Sequence, residues 1–161
     1  MNIEILQPKP FDLVGNTIMI AGNAVGFEGH LSISVSEGHV EFNGAASAGA
    51  IALRQFQATI EIPAHPNFQL DRLFVTVRDD SAGGEGGIPT VHVPVFYGPR
   101  ILPGYVGYRN YTVAPGDTLS AISTSQYGDA GNVSVIQRAN AHLIDDPNVI
   151  FPGQELRIPI A

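Results

Sequence analysis

The chain has no cysteine and no tryptophan, only two methionines, and charged residues at just 14% of its 161 positions. Without cysteine there can be no disulfide, no thiolate metal site and no cysteine nucleophile. Without tryptophan, the largest aromatic stacking face is missing. Basic residues are scarce, and the formal net charge is −7. Residues 1–109 hold six bases against ten acids, and residues 110–161 hold two against five. Neither part has the basic patch that nucleic acid demands. An acidic surface also disfavours anionic lipid or teichoic phosphate as the main ligand. No apolar run approaches the roughly 20 residues of a membrane span. The opening Met1-Asn2-Ile3-Glu4-Ile5 lacks the basic and apolar regions of a secretory signal peptide.

Apolar residues make up 44% of the sequence, with 18 glycines and 12 prolines. That balance supports folded cores made of strands joined by many turns. Residues 31–36, Leu-Ser-Ile-Ser-Val-Ser, alternate strictly between apolar and polar, the pattern of a strand with one buried face. Glu37-Gly38 reads as a turn into a second strand at residues 39–42. Further strands are expected at 3–6, 17–21, 56–62, 73–78 and 90–96. About seven short strands between Gly, Pro, Asn and Asp predict an all-β antiparallel sandwich over residues 1–97. The glycine-rich stretches 44–49 and 83–87 read as loops. Residues 98–110 contain two prolines and three glycines and read as a linker without regular structure.

From residue 111 the rhythm becomes strand, helix, helix, strand, a small α+β (βααβ) unit over 111–160. Tyr111-Thr112-Val113 is the first strand. Ala114-Pro115-Gly116-Asp117 has Pro and Gly where a type II turn prefers them. Asp117 or Thr118 can cap a helix carrying Leu119 and Ile122. Asn132 can cap a second helix with Val133, Ile136 and Asn140 at helical spacing. Phe151-Pro152-Gly153-Gln154 repeats the Pro-Gly turn before the strand Leu156-Arg157-Ile158.

Residues 111–159 resemble the lysin-motif (LysM) family. The matching positions include Tyr111-Thr112-Val113, Pro115-Gly116-Asp117-Thr118-Leu119, Tyr127-Gly128, Asn140, Pro147-Asn148 and 152–159, Pro-Gly-Gln-Glu-Leu-Arg-Ile-Pro. The resemblance implies a non-catalytic module that binds N-acetylglucosamine-containing glycan such as peptidoglycan or chitin. It implies a cell-wall, extracellular or spore-envelope location. The segment 127–132 is longer than the shortest inter-helix links of the family. It resembles the variant of a bacterial potassium-binding protein and of phage tail proteins, so a cation-responsive binder stays open as an alternative.

The groove is also expected from the residues. Antiparallel pairing of the two strands places both Pro-Gly turns at one end of the hairpin. The first helix starts there, with free backbone amides facing outward. An N-acetyl group offers a carbonyl, an N–H and a methyl. Candidate contacts are Gly116, Asp117, Thr118 and Leu119 on one side, and Ile144, Asp145, Pro147, Asn148 and Ile150 on the other. Several have plainer roles: Asp117 and Thr118 as helix caps, Asn140 as a backbone binder, Tyr127 and Phe151 as core or stacking residues.

Residues 1–97 resemble the immunoglobulin-like domain of bacterial spore germination proteins. The carrying residues are Ile5-Leu6-Gln7-Pro8, Ile18 to Ala24, Phe27-Glu28-Gly29, Phe56 to Ile60 and Val91 to Val95. The resemblance implies an assembly or adhesion module, with envelope proteins as partners of the sandwich. The other reading is a structural adaptor whose LysM domain contacts protein, as in a spore coat or phage-like assembly. Phe27 is expected in the core and Glu28 in a turn.

No catalytic constellation is present. The histidines at 30, 39, 65, 92 and 142 have no metal-ligand spacing, and no serine sits in a nucleophile elbow. Asp79-Asp80 and Asp145-Asp146 read as solvated turn acids. No cofactor, metal or catalytic residue is expected.

Overall fold

A computed structural model describes residues 2–25, 28–80 and 87–161. Phe27 and residues 83–86 of the second glycine-rich stretch lie outside the described residues. The chain divides into two compact units, Met1–Phe96 and Tyr97–Ala161.

The strands of the first unit are β1 (Asn2–Gln7), β2 (Leu13–Val14), β3 (Thr17–Val25), β4 (His30–Ser36), β5 (Glu41–Ser47), β6 (Arg54–Glu61), β7 (Arg72–Arg78) and β8 (Thr90–Tyr97). They form a three-stranded sheet, β1-β3-β6, and a five-stranded sheet, β2-β8-β7-β4-β5. This is the expected immunoglobulin-like sandwich. Period-two alternation sends Leu31, Ile33 and Val35 of β4 inward beside Leu73, Val75 and Val77 of β7, all nearly inaccessible to solvent. Ile18, Ile20, Phe56 and Ile60 face them from the other sheet. Burying each such side chain stabilises the fold by about 1.5–3 kcal/mol.

Three local readings need correction. Residues 44–47 are not a loop but the second half of β5. A Cβ on Gly44 would lie 2.5 Å from Ile60 Cδ1, so glycine there permits close approach between the sheets. The β4–β5 turn is longer than expected, and β5 starts at Glu41. Gly38 takes φ 110° in that turn, and Glu37 is turned inward with 6% exposure. His39 Nδ1 lies 3.1 Å from the Glu37 carboxylate. Asp79 is also no solvated turn acid: it is fully buried, while Asp80 pairs with Arg78 at 3.3 Å.

The second unit contains α1 (Gly98–Ile101), β9 (Gly107–Thr112), α2 (Leu119–Tyr127), a 3-10 turn (Ala130–Asn132), α3 (Val133–Ala139) and β10 (Glu155–Ile160). The presumed linker is thus largely structured. Pro99 sits in the first turn of α1, where a missing N–H costs nothing. Ile101 is buried, and Gly104 turns the chain with φ 78°. Strand β9 begins four residues before Tyr111 and pairs antiparallel with β10 from Gly107↔Ile160 to Thr112↔Glu155. Val113, Leu119, Ile122, Ile136, Ile144, Leu156 and Ile158 form one core, with Tyr111, Tyr127, Val133 and Ile150 packed against it.

Candidate functional site

Both Pro-Gly turns stand at one end of the β9–β10 hairpin. Asp117 N–H donates to the Ala114 carbonyl at 3.1 Å, and Gln154 N–H donates to the Phe151 carbonyl at 3.0 Å. Gly116 and Gly153 take φ 89° and 85°, the left-handed values that a type II turn requires of its third residue. The turns are joined through Val113. Its N–H donates to the Gln154 carbonyl at 2.9 Å, and its carbonyl accepts from Gly153 N–H at 2.8 Å.

Each turn is closed a second time by a side chain. The Asp117 carboxylate accepts from Ala114 N–H at 2.8 Å and from the Tyr111 hydroxyl at 2.8 Å. That hydrogen bond raises the Tyr111 pKa, with burial and the Asp117 charge adding to it. Gln154 Oε1 accepts from Phe151 N–H at 3.1 Å. The helix cap is Thr118, whose Oγ1 accepts from Ala121 N–H at 3.1 Å. Of the two cap candidates, Asp117 therefore holds the turn and Thr118 starts α2. At the C-terminus of α2, Gly128 adopts φ 74° and returns its N–H to the Thr124 carbonyl.

Asn132 precedes α3 but makes no side-chain cap bond. Asp129 takes over, accepting from Gly131 N–H at 2.8 Å and so capping the 3-10 turn that leads into α3. Inside this corner, the buried Ser123 hydroxyl donates to the Asp129 carbonyl at 2.5 Å. Tyr127 is half-buried, and its hydroxyl donates to the Pro159 carbonyl at 2.9 Å. Its ring is thereby fixed to the core.

The loop between α3 and β10 is held by side chains whose role there the sequence did not show. Asp146 Oδ1 accepts from Asn148 N–H at 2.8 Å, an Asx turn that the order Asp-Pro-Asn could have signalled. Gln137 donates to the Asp145 carbonyl at 3.1 Å. The amide nitrogen of Gln154 approaches the Leu143 carbonyl at 3.5 Å. These partners lie 8 and 11 residues apart, beyond any local pattern.

The candidate residues thus fall into two sets. Gly116, Thr118, Asp145 and Asn148 are exposed, while Asp117, Pro147 and Ile150 are half-buried. Leu119 and Ile144 are each 2% exposed and share one core, so their side chains anchor the two loops and only their backbones can meet a ligand. Leu143, Val149 and Phe151 are exposed apolar side chains, Phe151 at 64%. Among the described residues, no group of three or more His, Cys, Asp or Glu could hold a metal ion.

An immunoglobulin-like sandwich followed by a βααβ unit with paired turns defines the architecture of the chain. Residues 2–85, over half of the chain, match the immunoglobulin-like domain of bacterial spore germination, and the chain belongs to that family. Residues 111–159 match the LysM domain. Over 49 residues the chain is 53% identical to the potassium binding protein Kbp of Escherichia coli, covering 30% of this chain and 33% of that one. It is 49% identical over 49 residues to an uncharacterized protein of Deinococcus radiodurans, covering 30% and 19%. The chain therefore spans a third or less of the length of these relatives. A LysM domain is a glycan- and peptidoglycan-binding type of module, and both domain types are associated with the cell envelope and with spores. Among the described residues, no helix is long and apolar enough to cross a membrane.

Proposed function

We propose that the protein is a non-catalytic envelope component. Its LysM domain binds N-acetylglucosamine-containing glycan, peptidoglycan or a chitin-like chain, and tethers the sandwich to it. The observation that carries this reading is the locking of the two Pro-Gly turns through Val113, next to the start of α2. The first amides of a helix have no partner within it and suit an acetyl carbonyl. The core side chains Leu119 and Ile144 hold the segments 116–119 and 144–150 as the two walls. In this reading the half-buried Ile150, which packs against the core, also meets the acetyl methyl. Gly116, Asp117, Thr118, Asp145, Pro147 and Asn148 complete the proposed contacts. Location at the cell wall or spore envelope follows from this ligand, and the sandwich is then free to engage envelope proteins.

Co-sedimentation with insoluble peptidoglycan tests the reading. The full chain should pellet with the wall material, and Ile150→Asp should pellet far less. Failure of the unaltered chain to pellet, with no response to soluble fragments, would favour a protein adaptor.

A second reading draws on the relative named for potassium binding, 53% identical over the LysM stretch. Calorimetry with potassium against sodium chloride tests it. A saturable heat specific to potassium would make this chain a cation-responsive binder.

A further inference from the structure

The outer face of the five-stranded sheet carries a second polar site. Leu31, Ile33 and Val35 point into the core, so Ser32 and Ser34 point outward from β4. Ser34 stands opposite Asn43 of β5, and Ser32 opposite Arg78 of β7. Together with Glu41 and the strand at Ile33, they line a cavity of about 40 Å³. The Ser32 hydroxyl donates to Asp80, which also pairs with Arg78 at 3.3 Å. No intramolecular hydrogen bond occupies the side chains of Ser34, Glu41 and Asn43 among the described residues.

The chemistry of this lining selects its ligand. Arg78 is already balanced by Asp80, and Glu41 adds a further negative charge, so an anion is disfavoured. The described residues offer no cluster fit for a metal ion. What remains is an acceptor carboxylate, an amide and a hydroxyl that both donate and accept, and a guanidinium donor, all at the surface. A neutral ligand with adjacent hydroxyl and amide groups, as on one edge of an N-acetylated sugar, satisfies them. We propose that this face of the sandwich is a second, weak binding site for N-acetylated glycan, centred on Ser34, Glu41 and Asn43. The proposal rests on the glycan reading of the LysM domain. Two sites on one chain for one polymer raise the effective concentration of each for the other when both can be reached.

The test is an NMR titration of the isotope-labelled full chain with the linear tetramer of N-acetylglucosamine. It is repeated on Ile150→Asp, Asn43→Ala and Glu41→Gln. Asn43 and Glu41 are exposed, so their substitution leaves the core intact. The expected result is shifts of the Ser32, Ser34 and Asn43 amides that persist in Ile150→Asp. Each of the two sandwich substitutions should weaken that response about fivefold, the loss of one net hydrogen bond. Shifts confined to the second unit would overturn this site and leave the LysM reading standing. Shifts confined to the sandwich would support it and overturn the LysM groove. Sandwich shifts unchanged by both substitutions, or no shifts at millimolar sugar, would overturn it.

Discussion

Asn140 brackets the backbone of Arg157. Its side-chain oxygen accepts from Arg157 N–H at 2.8 Å, and its nitrogen donates to the Arg157 carbonyl at 2.8 Å. The same nitrogen donates to the Ile136 carbonyl at 2.8 Å, and Asn140 is fully buried. At the C-cap of α3, this side chain thus acts as a third strand along the free edge of β10. Asn140→Leu would leave the Arg157 N–H and carbonyl without these partners in a buried setting. The expected cost is about 2–4 kcal/mol, since each orphaned buried group costs about 1–3 kcal/mol. Denaturant unfolding of the full chain, followed through signals of the second unit, should show the midpoint falling. An unchanged midpoint would mean that water replaces the amide without penalty.

The backbone-binding role of Asn140 was legible in the sequence because a buried Asn at a helix end has few other uses. The alternation of residues 31–36 and the two Pro-Gly turns were legible because their signals are local. Other features were not. Residues 44–47 are small, so they read as a loop, yet the proximity of Gly44 to Ile60 is what their size serves. Residues 107–110 read as linker because Pro and Gly precede them, while their strand character comes from pairing with β10 more than 45 residues away. The inward turn of Glu37 and the buried Asp79 likewise depend on tertiary neighbours. In the candidate site the turns could be read directly. The assignment of Asp117 to the turn and Thr118 to the cap could not, since either side chain suits either job.

The pairing of β9 sets where the second unit must begin. A fragment starting at Tyr111 loses the pairs Gly107↔Ile160, Tyr108↔Pro159, Arg109↔Ile158 and Asn110↔Arg157, and also the buried Ile101. A fragment of residues 97–161 should fold and melt cooperatively by circular dichroism. The fragment 111–161 should melt well below it or remain unfolded. Equal melting of the two would show residues 97–110 to be dispensable, as a linker would be.

Two titrating groups give the units opposite pH limits. Burial raises the Tyr127 pKa, with a smaller opposing effect of Arg109, to about 12 from an ordinary 10.0. A raised value means that its contribution is complete below pH 10 and is lost as pH climbs toward 12. Tyr127→Phe should remove that alkaline loss. Burial also pushes the Glu37 carboxyl up, but the His39 hydrogen bond and charge, with backbone amides of Gln69 and Val40, outweigh it and hold the pKa below 4.5. A depressed value means stability that is present above pH 4.5 and lost as pH falls through the folded pKa. Glu37→Gln should flatten the acid limb of the sandwich's stability curve. Melting temperatures across pH 3 to 6 and 9 to 12 would check both signs, and an unaltered acid limb in Glu37→Gln would refute the second.

The groove prediction separates fold from ligand contact. A neutral sugar in a shallow site gains only a few net hydrogen bonds of about 1 kcal/mol each. With no tryptophan to stack on and one LysM copy in this chain, affinity should be modest. We expect a Kd on the order of micromolar to millimolar, or roughly −8 to −4 kcal/mol. It should tighten with oligomer length and respond little to salt, because the ligand carries no charge. Thr118→Ala should cost about 1 kcal/mol of helix stability by removing the acceptor for Ala121 N–H, and should weaken binding only mildly. Ile150→Asp should abolish binding in the groove by placing a charge where the acetyl methyl is expected to sit. Ile150 also packs against the core, so its melting temperature must be compared alongside. NMR titration with chitin and peptidoglycan fragments decides the matter. Shifts at residues 116–119 and 144–150, lost in a folded Ile150→Asp variant, are the expected outcome. Absence of shifts in either unit at millimolar sugar would move the function to a protein partner.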